Sequence, residues 1–255
     1  MTVERTRFID VSQLVERERE ALRTFFGKEV SVDIPPAILL ETLRVAEDKG
    51  FGILKPLYFP KIKFKQTDEY PGWKVKLRDW YWEKIIGGRV SNEAAKLGGY
   101  WALFDESRRP NDNESRQMFP EDPLAPMLTQ ARERGSIAVS DFVKHVPKGS
   151  RFAVSPNEQD RTVFPQLAQI LRLNEVAARV RRPTAIELNF AGNLRYSHLG
   201  EANTWEWLDD NFGNGGWLVG GCSNFGGLYF VCLWHDDRIG NAAFRPLVVF
   251  SPKLG

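Results

Sequence analysis

An α+β fold is predicted by three features of the 255-residue sequence. Amphipathic helical stripes fill the first fifty residues, an apolar alternation at a period of two follows them, and a glycine- and tryptophan-rich end closes on a short apolar run. The length suffices to bury a substantial core in one body. Hydrophobic residues at 42% and charged residues at 27% are ordinary globular values.

The elements follow in order. Val11, Leu14, Val15, Ala21, Leu22, Phe25 and Phe26 stand among charges as a helical stripe that stops near Gly27. Pro35 and Pro36 introduce a second amphipathic helix, "AILLETLRVAEDKG", closed by Gly50. Residues 1–50 therefore read as a helical segment packed on a main body, 51–255. Ile62 and Phe64 then alternate with Lys61, Lys63 and Lys65, as on a half-buried strand whose lysines discourage edge pairing. "DWYWEK", 79–84, is expected in core or sheet packing. "GGYWALFDESRRPNDNESRQ" runs from an apolar strand into a polar loop, and "PEDPLAPMLTQARERG" reads as a short helix ended by Gly135. Two helix starts are sharper: Ser155 with Glu158, and Thr184 with Glu187, each have the spacing of a capping box. "NEVAARV" between them is expected to be a connection. From Gly200 the texture predicts short strands and ordered loops, ending in a strand with Val248, Val249 and Phe250 buried.

Several chemistries lack their residues. A formal charge of +2 gives no general reason to expect nucleic acid. No glycine pair sits in a phosphate loop, and Ser223 does not stand in the Gly-x-Ser-x-Gly pattern of a nucleophile elbow. His145, His198 and His235 form no metal-binding pattern, so neither metal nor cofactor is expected. Asp209 and Asp210 suit a turn or a helix cap. Cys222 and Cys232 match no zinc spacing and are expected as free thiols. The charged start carries no apolar signal and no stretch has the length of a membrane span, so a cytoplasmic location without membrane insertion is expected.

"ANTWEWLDD", "VGGCS", "DDR" and "AFRP", in that order, resemble the signature of the formylglycine-generating-enzyme (sulfatase-modifying factor) branch of the C-type lectin fold. "RRPTAIELNFAGNL" resembles the Arg-x-Pro-Thr-x-x-Glu helix start of the same branch, so the likeness covers roughly residues 150–255. It implies a C-type lectin fold of that type, with the helical segment added before it. The sulfatase-activating members use a closely spaced cysteine pair, which Cys222 and Cys232 do not match, and the iron-binding histidine set of the oxygenase relatives is missing. A scaffold without these groups implies a binding module rather than an enzyme. The alternative is an enzyme of that branch using Cys222 or Cys232 as a redox or copper-binding thiol; a third reading is an adhesion domain with an invariant segment.

The end of the chain is more similar to variable proteins of diversity-generating retroelements. Their frame is matched by Gly220, Gly221, Ser223, Gly226, Gly227, Leu228, Val231, Trp234, Asp236, Arg238, Phe244, Arg245 and Pro246. In that family, adenine-directed replacement of Asn-type codons reaches fifteen residue types and never Lys, Glu, Gln, Met or Trp. Within 222–242 the remaining positions are Cys222, Asn224, Phe225, Tyr229, Phe230, Cys232, Leu233, His235, Asp237, Ile239, Gly240, Asn241 and Ala242, and every one is in the reachable set. The resemblance implies a hypervariable ligand-binding surface at these positions. Its mixture of aromatic and small polar residues suits a macromolecular ligand, a protein surface. Trp205, Trp207, Trp234, Arg238 and Arg245 are then expected inside, with Tyr229, Phe230, Leu233 and His235 on one exposed face.

Overall fold

In the computed structural model the described residues are 10–108, 121–139, 141, 143–174, 176–200, 204–213, 215–221, 227–228 and 230–250, with backbone alone at 200, 227, 228 and 230–232. Asp10 caps the first helix, α1 (Val11–Phe26), by accepting the Ser12 and Gln13 N–H groups, and Gly27 ends it in a left-handed conformation at φ +68°. Pro36 precedes α2 (Ala37–Asp48). Leu22, Phe25 and Leu39 join the same apolar cluster as Phe59 and Phe190, so the helical segment shares the core of the body.

Strand β1 (Leu54–Lys63) and the two-residue β2 (Lys76–Leu77) lead to α3 (Asp79–Ile86). The aromatics of 79–84 are thus helical rather than sheet-borne, although Tyr81 and Trp82 are buried as expected. After β3 (Lys96–Asp105) comes α4 (Ala125–Glu133). Then α5 (Pro156–Glu158) passes through a π turn at Gln159–Val163 into α6 (Phe164–Ile170). Pro165 cannot donate the usual i to i−4 bond, which accounts for the widened turn before it. Residues expected only to connect contribute β4 (Ala178–Arg181), because Val180 finds a partner strand far along the chain.

Helix α7 (Ala185–Leu194) is buried on nearly every side. Phe190 meets Phe25 with ring centroids 5.0 Å apart. Asn189 and Asn193 clamp the loop before β2: Asn193 Oδ1 accepts the Lys74 and Val75 N–H groups at 2.8 and 2.9 Å, and Asn189 Oδ1 accepts the Trp73 Nε1–H at 3.1 Å. Both predicted capping boxes form, at Ser155/Glu158 and at Thr184/Glu187.

The remaining strands are β5 (Trp205–Phe212), β6 (Gly216–Gly220), β7 (Gly227–Leu228), β8 (Phe230–Trp234), β9 (Ala242–Phe244) and β10 (Leu247–Phe250). One antiparallel sheet runs β1-β3-β10-β4, so the last strand lies inside it, with Val248 opposite both Leu103 and Val180. Val248 and Phe250 are buried there, whereas Val249 is half-buried on the other face. The second sheet runs β8-β6-β5-β9, with β5 and β9 parallel. A short parallel pairing of β2 with β7 ties the end region back to the body. The architecture is α+β. Among the described residues no helix is long and apolar enough to cross a membrane.

Candidate functional site

Buried arginines anchor the second sheet. Arg245 donates to Glu206 from Nη2 and Nε at 2.8 and 3.3 Å, to the Ser107 carbonyl at 2.8 Å, and to the Asp105 carbonyl. Arg151 bridges Asp105 and Asp122 at 2.5 and 2.6 Å. Burial alone would raise the Asp105 carboxyl, but the guanidinium groups of Arg151 and Arg245 hold it below the usual range. Arg182 binds Asp160 at 2.9 Å and Asp209 at 3.3 Å while its guanidinium lies 4.5 Å from the Trp217 ring centre. Arg181 pairs with Glu187, the residue that completes the cap of α7. Asp209 and Asp210 therefore stand in a strand, not a turn, yet Asp210 does serve a helix start: it accepts the Ala185 N–H at 2.6 Å.

The floor of the predicted surface consists of Trp207, Val219 and Ala242, with Trp205, Trp217, Leu233 and Ile239 packed around them. Trp207 and Arg245 are buried as expected; Trp205 and Arg238 are only half-buried. Three expectations fail. Ala242 is buried, because it lies opposite Trp205 where β9 pairs with β5, so it belongs to the floor and is not displayed. Trp234 is 61% exposed, because the chain leaves the sheet at this residue and turns. Leu233 lies opposite Trp217 and is partly covered by the tryptophan floor, while His235 is half-exposed in the turn, so the two do not form one fully open face. Asp237, Gly240 and Asn241 are half-exposed as well. Cys222, Asn224, Phe225 and Tyr229 lie outside the described residues, and Phe230 and Cys232 are placed by backbone only, opposite Gly220 and Leu218.

The segment is attached chiefly through its main chain. Ala153 donates to the Ile239 carbonyl at 3.1 Å, Asn157 to the His235 carbonyl at 3.2 Å, and Trp205 to the Asn241 carbonyl at 3.1 Å. Ala153 holds φ +56°, a conformation that a non-glycine residue adopts at a cost, next to this attachment. Side chains of the frame complete the turn. Arg238 donates to Glu158 Oε1 at 2.9 and 3.1 Å and to the Asp236 carbonyl at 3.0 Å. Asn157 Nδ2 donates to Asp236. Asp237 also contributes a side-chain bond, accepting the Trp234 N–H at 2.9 Å, so it is partly structural.

Glu158 and Asn157 escaped sequence reasoning as parts of the site. The capping box identified Glu158, but its second partner, Arg238, is eighty residues away. His198 Nε2 donates to the Glu106 carbonyl at 2.9 Å. Among the described residues no group of three or more His, Cys, Asp or Glu is placed to hold a metal ion. No family model, curated protein or solved structure matches the chain.

Proposed function

We propose that the chain is a non-catalytic binding protein of the C-type lectin fold, of the formylglycine-generating-enzyme type, and that a retroelement diversifies its segment 222–242. The ligand is a macromolecule, a protein surface. One observation carries this reading: His235, Ile239 and Asn241 are held by hydrogen bonds to their carbonyl groups, contacts that any side chain there would leave in place. A surface that must accept replacements needs that kind of attachment. The buried frame supports it from below, since Arg182, Arg245 and Glu206 carry their own partners and draw little on the displayed residues. Half-exposed residues on such a floor supply contact area at low entropic cost.

A template test is direct. The reading expects, near the coding region, a near-copy of the stretch for residues 222–242 that carries adenines wherever the two differ. A neighbourhood without such a copy contradicts it.

A further inference from the structure

An open cavity of about 500 Å³ lies between α1, α2 and the start of β1, a size that takes a small ligand. Leu14, Leu43 and Pro56 line it and are themselves buried, so its inner wall is apolar. The other lining groups are mostly charged and of both signs, and none belongs to segment 222–242. Arg17 and Arg195 share the one buried carboxylate of Glu18, at 3.1 and 3.0 Å, which leaves a net positive charge at this wall. Arg17 spends Nη2 on Glu18 and on the Pro56 carbonyl, each at 3.1 Å, while its Nε and Nη1 have no partner among the described residues. Lys55 adds a second cation, 3.8 Å from Glu106 in a partly exposed pair.

Two carboxylates line the same cavity without closing on these cations. Glu47 is exposed and forms no ion pair among the described residues, and Asp10 caps α1 through Oδ1 alone. Neither reaches ion-pair distance of Arg17 or Lys55. Unlike charges that surround one cavity and do not meet leave a gap that an ammonium and a carboxylate on one molecule would bridge, each gaining a charge-assisted bond. A lone anion would satisfy Arg17 and Lys55 but be repelled by Asp10 and Glu47, and a lone cation would meet the reverse. An apolar group between the two charges would cover Leu14, Leu43 and Pro56 as well.

We infer that this cavity binds a short peptide zwitterion with apolar side chains, a free dipeptide in size, its carboxylate at Arg17 and Lys55 and its ammonium at Asp10 and Glu47. The site is separate from the candidate surface and does not depend on diversification of segment 222–242. Calorimetric titration of the full chain tests it with three probes: leucyl-leucine, acetyl-leucyl-leucine, which lacks the ammonium, and leucyl-leucine amide, which lacks the carboxylate. Leucyl-leucine should bind saturably, and removal of either charge should weaken binding about fivefold. Asparagine still caps a helix, so Asp10→Asn combined with Glu47→Gln should keep the unfolding midpoint and erase only the preference for the free ammonium. Arg17→Gln should erase the preference for the free carboxylate, and Lys55→Gln, which breaks no buried bond, should reduce it. No saturable binding at about 10 mM, equal binding of all three probes, or unchanged discrimination in the double carboxylate variant would overturn the site. A missing template copy would leave this result standing, and a silent titration would leave the diversification reading standing.

Discussion

Arg245 grips Glu206 at two points, Nη2 to Oε1 at 2.8 Å and Nε to Oε2 at 3.3 Å, with both side chains almost wholly out of solvent. Glu206 stands on β5 beneath the candidate surface, and the same guanidinium reaches the carbonyls of Asp105, which ends β3, and of Ser107 just after it. Removing one partner strands the other charge in the interior. Arg245→Met should therefore lose about 3–5 kcal/mol in urea unfolding, and Arg245→Lys should recover only part of it because an ammonium cannot match the two-point geometry. Full recovery by lysine would show that charge alone matters.

Gly72 seats the loop under α1. Its N–H donates to the Phe25 carbonyl at 3.0 Å, and a Cβ built on it would stand 2.6 Å from both Cα and Cδ2 of Phe25. Backbone cannot yield as a flexible side chain does. Gly72→Ala should cost roughly 1–3 kcal/mol of stability, measured by thermal or urea unfolding, as an overpacked contact does. An unchanged midpoint would place the loop elsewhere.

Asp210 makes stability depend on pH. Burial, reinforced by the nearby Glu187 and Asp209 carboxylates, pushes its carboxyl up to about 7, against the Ala185 N–H and the Tyr81 hydroxyl that favour its charge. The folded chain then keeps a proton that the unfolded chain has lost above its lower pKa of about 3.9. This contribution is complete below that value and disappears as pH rises through about 7. The stability of the natural chain relative to Asp210→Asn should fall between pH 5 and pH 8 by at least about 1 kcal/mol. Parallel profiles for the two proteins would contradict it.

Glu158 couples the cap of α5 to the displayed turn. Glutamine can still occupy the third position of a capping box but cannot neutralise Arg238. Glu158→Gln should leave the fold intact while the Asp237 and Asn157 N–H groups exchange with solvent about tenfold faster, a local loosening of about 1.4 kcal/mol. Equal exchange rates would show that the turn does not depend on the Arg238 ion pair.

Short-range chemistry was readable in the sequence and long-range chemistry was not. Ser155/Glu158 and Thr184/Glu187 cap their helices as their spacing predicts, and Gly27 stops α1, because each device acts within a few residues. Glu18 stands on the inward stripe of α1 beside Leu14 and Leu22, yet two of its partners, the Tyr58 N–H within β1 and Arg195, lie far along the chain. Burial raises its carboxyl while Arg195 and Arg17 oppose that shift, a balance no local pattern announces. Ala178–Arg181 is too short to show alternation, and its pairing with β10 crosses most of the remaining chain. At the surface, the frame located Trp207 and Arg245 correctly. It missed that Trp234, the last residue of its strand, is exposed and that Ala242 enters a sheet, since both depend on where β8 ends and β9 pairs.

Diversification of the 222–242 segment is tested most directly by sequencing its coding region from many cells of one population. Replacements should concentrate at the thirteen positions from Cys222 to Ala242 named above, should include no Lys, Glu, Gln, Met or Trp, and should spare Trp234, Arg238 and Arg245. At Ala242, where Trp205 and Trp207 close the space, small residues should dominate. Uniform codons across the segment, or replacements spread evenly through the chain, would contradict a retroelement-diversified binding surface.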